Sequence, residues 1–378
     1  MREKGSRFVA WKCTTIKMIA SPWVPVPIYG AIKKTVSQNK IDYKSAGVDI
    51  DAGNEAVERI KKGVRSTFTT NVLTGLGSFG SLYDLKPILD DYENPVLVQS
   101  IDGVGTKTII ARKLGKFNTI GVDLLSACAN DILVMGARPL TFLDYIANDK
   151  LRPDTIEEIV AGMVEACRDT GVSLVGGETA DMPDTYLPGE HDLVGVITGV
   201  VEKDKIITGE TIQPGDVVLG LPSSGLHTNG YSLARKLFFE IGGYDVNDTI
   251  PELEKSVGLT LLEPHINYTN HVFGVLDKEI GVKGIAHITG GGLVENIPRI
   301  LPDGCDVEIH KESWPGVPIF NVMQSIGNVD ENEMYRAFNM GIGMIIIAAP
   351  DQVNSIKEII DVHKIGFVVT GGNQVNII

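Results

Sequence analysis

With 378 residues, 43 % of them apolar and 42 of them glycine, the chain is long enough for two cores and has the composition of a globular α/β protein. A formal charge of -14 argues against a nucleic-acid or acidic-membrane surface while leaving room for a local basic pocket that takes a small anion. The four cysteines, at positions 13, 128, 167 and 305, have no metal-type spacing and fit a reducing compartment, and no apolar run approaches the roughly 20 residues that cross a bilayer.

Residues 1–40 differ from the rest, with eight Lys and Arg against the single acid Glu3. Pro22, Pro25 and Pro27 forbid a continuous amphipathic helix there, so the stretch reads as an unstructured extension or an upstream start rather than a transit peptide. From residue 41 the text changes. Tyr43 to Asp51 leads into a helix with Ala52, Ala56, Val57 and Ile60 on its apolar side. Arg59, Lys61 and Lys62 in its last turns complement the helix dipole, and Lys61 is also within reach of a phosphate. Gly75-Leu76-Gly77-Ser78-Phe79-Gly80 has the letters of a dinucleotide fingerprint, but no strand precedes it and no acid follows at the required distance. It reads instead as a loop able to close over a nucleotide through Gly77, Phe79 and Gly80.

The run Pro95–Ile101 predicts a buried strand, and Asp102-Gly103-Val104-Gly105-Thr106-Lys107 follows at once. A strand-end carboxylate, two glycines, a hydroxyl and an ammonium form an inventory for a metal-bound polyphosphate, although the same residues also serve ordinary turns. The order is not that of a Walker A loop, since Thr106 separates Gly105 from Lys107. Asn118 is positioned to cap the next helix and Gly136 to end it. On that helix Asp123, Asn130 and Asp131 stand at i, i+7 and i+8 and share one face, an arrangement suited to Mg²⁺. A helix over Arg152–Thr170 comes next, then a strand Val172–Val175 running into Gly176-Gly177-Glu178-Thr179-Ala180, and a long strand His191–Val201.

Thr208–Gly215 reads as a passage between domains, giving boundaries of 41–206 and 207–378. The second part opens with a strand over Asp216–Leu221. His227, in Ser223–Gly230, stands just before a helix starting near Tyr231, and His287, in Ile285–Gly292, stands before the helix that holds Asn296. Either histidine can be an ordinary core residue; two beside glycine-rich helix starts point to one cleft. Strands over Gly343–Ala349 and Ile365–Val369, around a helix Gln352–Val362, complete the chain.

Taken together, Ala46–Gly53, Asp102–Lys107, Asn130-Asp131, Gly176–Ala180, His227–Leu233, His287–Gly292 and Glu333–Arg336 resemble, in order, the aminoimidazole ribonucleotide synthetase (phosphoribosylformylglycinamidine cyclo-ligase) family. The resemblance covers residue 41 to about residue 366 and leaves 1–40 outside. It implies an α/β fold of α+β type, with two domains of mixed sheets and helices and an amino-terminal β-barrel at the interface of a homodimer. It implies ATP-dependent closure of formylglycinamidine ribonucleotide to aminoimidazole ribonucleotide with release of ADP and phosphate, with Mg²⁺, in a cytoplasmic bacterial pathway or, in plants, an organelle; the charge and hydropathy above argue for neither nucleic acid nor membrane as a partner, and the reading adopted is cytoplasmic. Carried onto this chain, Asp102 and Asp131 would hold Mg²⁺, with Asp123 and Glu178 as further ligands. Lys61, Gly103, Thr106 and Lys107 would meet ATP with the Gly77–Gly80 loop, and Lys61 is grouped with His227 and His287 as catalytic. Two departures stand out, Ser78 where the family has glycine and Ile101 where it has threonine. The rival readings are weaker. Selenophosphate synthetase needs a reactive cysteine or selenocysteine near the nucleotide loop, and a scaffold without turnover would have lost some of Asp102, Asp131, His227 and His287.

Overall fold

The computed structural model describes residues 42–378, so the extension read over 1–40 lies outside the described residues. Helix α1 (Ile50–Arg65) is capped by Asp49, whose side chain accepts the Ala52 amide. Asp51 in its first turn and Lys62 and Arg65 in its last match the dipole at both ends. After a short helix α2 (Lys86–Leu89) the first half comprises β1 (Pro95–Gly103), α3 (Lys107–Leu114), α4 (Asn118–Leu133), β2 (Arg138–Asn148), α5 (Pro153–Thr170), β3 (Ser173–Asp181) and β4 (His191–Glu202).

These strands form one sheet in the order β1-β4-β2-β3, parallel between β2 and β3 and antiparallel elsewhere. Strand β1 runs two residues past the expected Ile101 because its ladder with β4 continues through Asp102 and Gly103. Gly176–Ala180, expected to follow a strand, is itself strand and pairs with Leu143–Ala147. Helices α4 and α5 cover one face of the sheet. Thirteen of the 16 residues of α4 are buried, as in a helix enclosed by protein rather than lying on a surface. Asn118 is its first helical residue and not its cap; Phe117 holds the cap position, and the Glu158 carboxylate on α5 accepts the amides of both. Gly136 ends this helix with φ +75°, donating its amide to the Leu133 carbonyl.

The second half comprises β5 (Val217–Pro222), α6 (Tyr231–Arg235), α7 (Val257–Leu261), α8 (Thr269–Leu276), β6 (Gly284–His287), α9 (Gly292–Asn296), β7 (Cys305–Ile309), α10 (Pro318–Gly327), α11 (Glu331–Ala337), β8 (Ile342–Ala348), α12 (Val353–Lys357), β9 (His363–Thr370) and β10 (Val375–Ile377). Its sheet runs β10-β7-β9-β5-β8-β6. The helix expected over Gln352–Val362 stops at Lys357, where turns closed by the Ile356 carbonyl lead the chain into β9. Edge strand β6 is buried at all four residues, its end meeting α4 where His287 contacts Asp131. Ile110, Leu124 and Leu125 of the first half share one apolar core with Leu237, Phe238, Leu261 and Phe320 of the second.

Helices α4 and α5 cross with no side chain between them at two points. A Cβ on Gly121 would collide with the Ile159 carbonyl, and one on Gly162 with the Asn118 carbonyl. Gly162→Ala is therefore expected to cost about 1–3 kcal/mol or more in chemical denaturation, by forcing the helices apart. Unchanged stability would contradict the close crossing.

Candidate active site

Lys107 has no solvent exposure at all. Its Nζ stands 2.9 and 2.8 Å from the two carboxylate oxygens of Asp123 and donates to the carbonyls of Glu263 (2.7 Å) and His227 (3.1 Å). Burial pushes the lysine down and the aspartate up, while each supplies the other's counter-charge. This corrects two expectations. Lys107 has all its donors engaged inside the protein and does not face a phosphate, and Asp123, equally buried, is its partner rather than a metal ligand. The shared helix face of Asp123, Asn130 and Asp131 is real, but most of it looks inward.

What that face meets is a cluster of three histidines. His227 and His265 are each 1 % exposed and stack with centroids 4.0 Å apart. The His265 Nε2 lies 3.1 Å from the Nε2 of His287, whose Nδ1 lies 2.9 Å from Asp131 Oδ1. Ser100 Oγ donates to the other Asp131 oxygen at 3.0 Å. His227 was expected to line a cleft, but it is interior. It sits at φ +61°, its Nε2 accepts the Ser224 amide, and its carbonyl accepts from Tyr231 as well as Lys107. Burial pushes both His227 and His265 well below the usual imidazole range, so both are neutral. His265 escaped the sequence reading. It lies in the irregular Glu263–Tyr268 segment, with no strand end or glycine turn to mark it.

His287, 6 % exposed, lines a cavity of about 310 Å³ with Gln99, Ser100, Asp131, Thr289 and Arg299. The Asn296 side chain donates to the carbonyls of Thr289, Gly290 and Gly292 and accepts from the Thr289 hydroxyl, which fixes the glycine-rich turn on one side of it. Asp102 lies nearby on β1. Burial raises its carboxyl, the Gly103 amide opposes that shift, and the negative charge of Asp131 adds to it. Among the described residues no three His, Cys, Asp or Glu side chains converge into a metal cage. Two neighbouring carboxylates suit a Mg²⁺ that arrives on a nucleotide, because that ion is held by one or two carboxylates plus substrate phosphates.

A larger cavity of about 730 Å³ collects the candidates Gly77, Phe79 and Gly80 from the exposed loop and Glu178 from β3, and adds Asp144 from β2, which the sequence did not single out. Lys61 is not in its wall; it forms an exposed pair with Glu58 at 2.7 Å, next to the lining residue Ile60. Glu178 is thus placed in a different cavity from Asp131. One row across the sheet links the two regions. Asp102 and Asp144 both stand opposite Gly195, and Asp144 also faces Gly177, so two carboxylates lie two strands apart, roughly 10 Å, with a glycine between them. Thr106, exposed, starts α3 without capping it through its side chain.

Two family models match the chain, that for the AIR synthase related protein N-terminal domain at residues 87–201 and that for its C-terminal domain at 213–376. A phosphoribosylformylglycinamidine cyclo-ligase from Alkaliphilus oremlandii is 47 % identical over 89 % of this chain and 99 % of that protein. One from Trichlorobacter lovleyi is 50 % identical over 85 % and 91 %. Among solved structures, thiamine-monophosphate kinase from Stenotrophomonas maltophilia superposes with a TM-score of 0.63 over 84 % of this chain and 95 % of that one, at 19 % identity. The hydrogenase maturation protein HypE in complex with ATP gives a TM-score of 0.59 over 85 % and 91 %, also at 19 % identity. These two structures share the fold.

Two measurements follow from this geometry. Lys107→Met leaves Asp123 buried without its counter-charge and is expected to cost about 3–5 kcal/mol in denaturant unfolding. A variant that keeps its stability but loses ATP affinity would return Lys107 to the phosphates. The second concerns Asp144, whose carboxyl burial raises from 3.8 to about 7. Because the folded pKa is the higher one, the stability from this group is complete below about 4 and is lost as the pH rises through about 7. Asp144→Asn should therefore gain stability relative to the parent between pH 4 and 8. A difference that does not change with pH would show that Asp144 is not desolvated.

Proposed function

This chain belongs to the AIR synthase related family, and from that premise we propose how its residues perform the reaction. The protein is an enzyme, a phosphoribosylformylglycinamidine cyclo-ligase of purine biosynthesis, and its substrate is a small molecule, formylglycinamidine ribonucleotide. The observation that carries the residue assignment is the 2.9 Å contact between Asp131 of the first half and His287 of the second, beside the smaller cavity.

In our reading ATP is the second substrate. Its phosphates lie toward Asp102 and Asp131, and its nucleoside end occupies the larger cavity under the Gly77–Gly80 loop; Gly103 at the end of β1 and Thr106 at the start of α3 are assigned to ATP as well. A volume of about 730 Å³ is within the ordinary range for a ligand of that size. Asp102 and Asp131 would hold Mg²⁺, which supplies charge neutralisation of the phosphates when bound. Lys61 is held only by an exposed pair, an interaction worth little, and is free to turn to the nucleotide. The γ-phosphoryl group passes to the formyl oxygen, and a nitrogen of the amidine side attacks the formyl carbon. The carbon–oxygen bond then breaks to release phosphate, and the attacking nitrogen gives up a proton. The chain's own residues orient these groups and keep water out. His287, oriented by Asp131, faces the reacting atoms, while His227 supports it from the interior.

We also read 41–206 and 207–378 as two domains and the active unit as a homodimer. Leu97, Ile101 and Leu143 are exposed together on the face of the first sheet away from α4, and β1 is an edge strand, so a second copy could cover that face and extend the sheet. No helix among the described residues is long and apolar enough to cross a membrane, and a cytoplasmic location is the reading we favour.

The direct test is purified protein with formylglycinamidine ribonucleotide, ATP and Mg²⁺, assayed for the imidazole product; no product at any Mg²⁺ concentration would reject the function. Asp131→Asn keeps the shape of the side chain and is expected to lower kcat by about 10–100-fold with little change in unfolding midpoint. Full activity in that variant at saturating Mg²⁺ would remove Asp131 from the site.

A further inference from the structure

We propose that His265 is a positioning residue for this reaction, holding the His287 ring through its Nε2 so that the ring faces the smaller cavity. This rests on the function proposed above. An imidazole has two nitrogens through which its rotation can be fixed, and both are taken in His287: Nδ1 by Asp131 at 2.9 Å and Nε2 by His265 at 3.1 Å. The holder is itself held on every side. The His265 ring stacks on His227, its Nδ1 lies 3.4 Å from Thr228 Oγ1, and its backbone amide donates to Asp123 Oδ1 at 2.7 Å.

Asn130 decides which role His265 plays. The Asn130 oxygen accepts the Tyr268 amide at 2.9 Å and its Nδ2 donates to the Ile266 carbonyl at 2.9 Å, so the amide cannot be flipped without losing both bonds. Its second N–H is left to the His265 Nε2, 3.2 Å away. That nitrogen is therefore an acceptor, and the ring hydrogen of His265 sits on Nδ1 toward Thr228. The neutrality that burial imposes on His265 agrees with this tautomer. The one lone pair on His265 Nε2 is therefore shared between the Asn130 N–H and the facing His287 Nε2, which fixes the point where the two rings meet. His265 is 1 % exposed, is not itself part of the lining of either cavity described above, and acts only through its neighbour.

Two substitutions separate positioning from bulk. His265→Ala removes the acceptor, whereas His265→Gln puts an amide oxygen near the place of Nε2, where it can accept from both Asn130 and His287. In the full-length protein we expect His265→Ala to lower kcat by about 10–100-fold with KM for ATP and for the ribonucleotide within about twofold, and His265→Gln to recover most of that loss. The ¹⁵N resonances of the His287 imidazole should move in His265→Ala and stay near the parent values in His265→Gln. His287 resonances that do not respond to His265→Ala, or a loss equal in both variants with KM rising in step, would overturn the proposal. If the parent forms no imidazole product, the proposed function fails, while the His287 resonances still report independently whether His265 holds that ring.

Discussion

A lysine and an aspartate without contact to water hold the two halves of this protein in register. Removing both charges from solvent costs several kcal/mol each before any attraction is counted, so the pair persists because the charges face each other while the lysine also donates to two carbonyls and an Asp123 oxygen accepts a backbone amide. Lys107 and Asp123 come from α3 and α4 of the first half, and their remaining bonds go to His227, Glu263 and His265 of the second. Shifting one half relative to the other would break several of these bonds at once, each in a setting where an unpaired charge is strongly unfavourable. The clasp therefore fixes the geometry directly above it. There Asp131 meets His287 across the same junction, and Asn130 meets His265.

Such stiffness suits a reaction in which the protein contributes position more than covalent chemistry. Displacing a group by about 1 Å can cost about 10²-fold in rate, so a centre assembled from two halves has to be over-determined. The glycine-rich loop is built on the opposite plan. Val72 and Tyr83 close its base by a single bridge, and the Phe79 side chain at its tip is fully exposed. A tightly bonded centre lies beneath a lightly held loop. On the assignment proposed above, that combination would let substrates enter without disturbing the geometry of Asp131 and His287.

Much of the architecture was legible in the sequence, because hydrophobic period and glycine turns are local signals. The ends of α5 and β4 and the turn at Gly136 fall within a residue or two of where periodicity puts them. Errors arose where a tertiary partner overrode a local preference. Glu158, 40 residues away, took over the capping task expected of Asn118, and pairing with β2 kept Gly176–Ala180 extended. The site shows the same division. His287 and Asp131 were singled out from their surroundings in sequence, and the structure brings them into contact. Lys107 was misassigned because a lysine after a glycine-rich loop has the same local text whether it faces a phosphate or an internal carboxylate. His265 carried no local sign at all, since its role depends on residues 22 to 142 positions away.

The central claim is that chemistry occurs where Asp102, Asp131 and His287 meet, with the Lys107–Asp123 pair as the structural clasp beneath. Its most direct test is a crystal structure with a non-hydrolysable ATP analogue and Mn²⁺, in which the metal is located by its anomalous scattering. The account predicts one or more metal peaks at coordination distance from the carboxylates of Asp102 and Asp131, with Lys107 still bonded to Asp123. Metal bound elsewhere, or Lys107 turned away from Asp123 onto the phosphates, would contradict it.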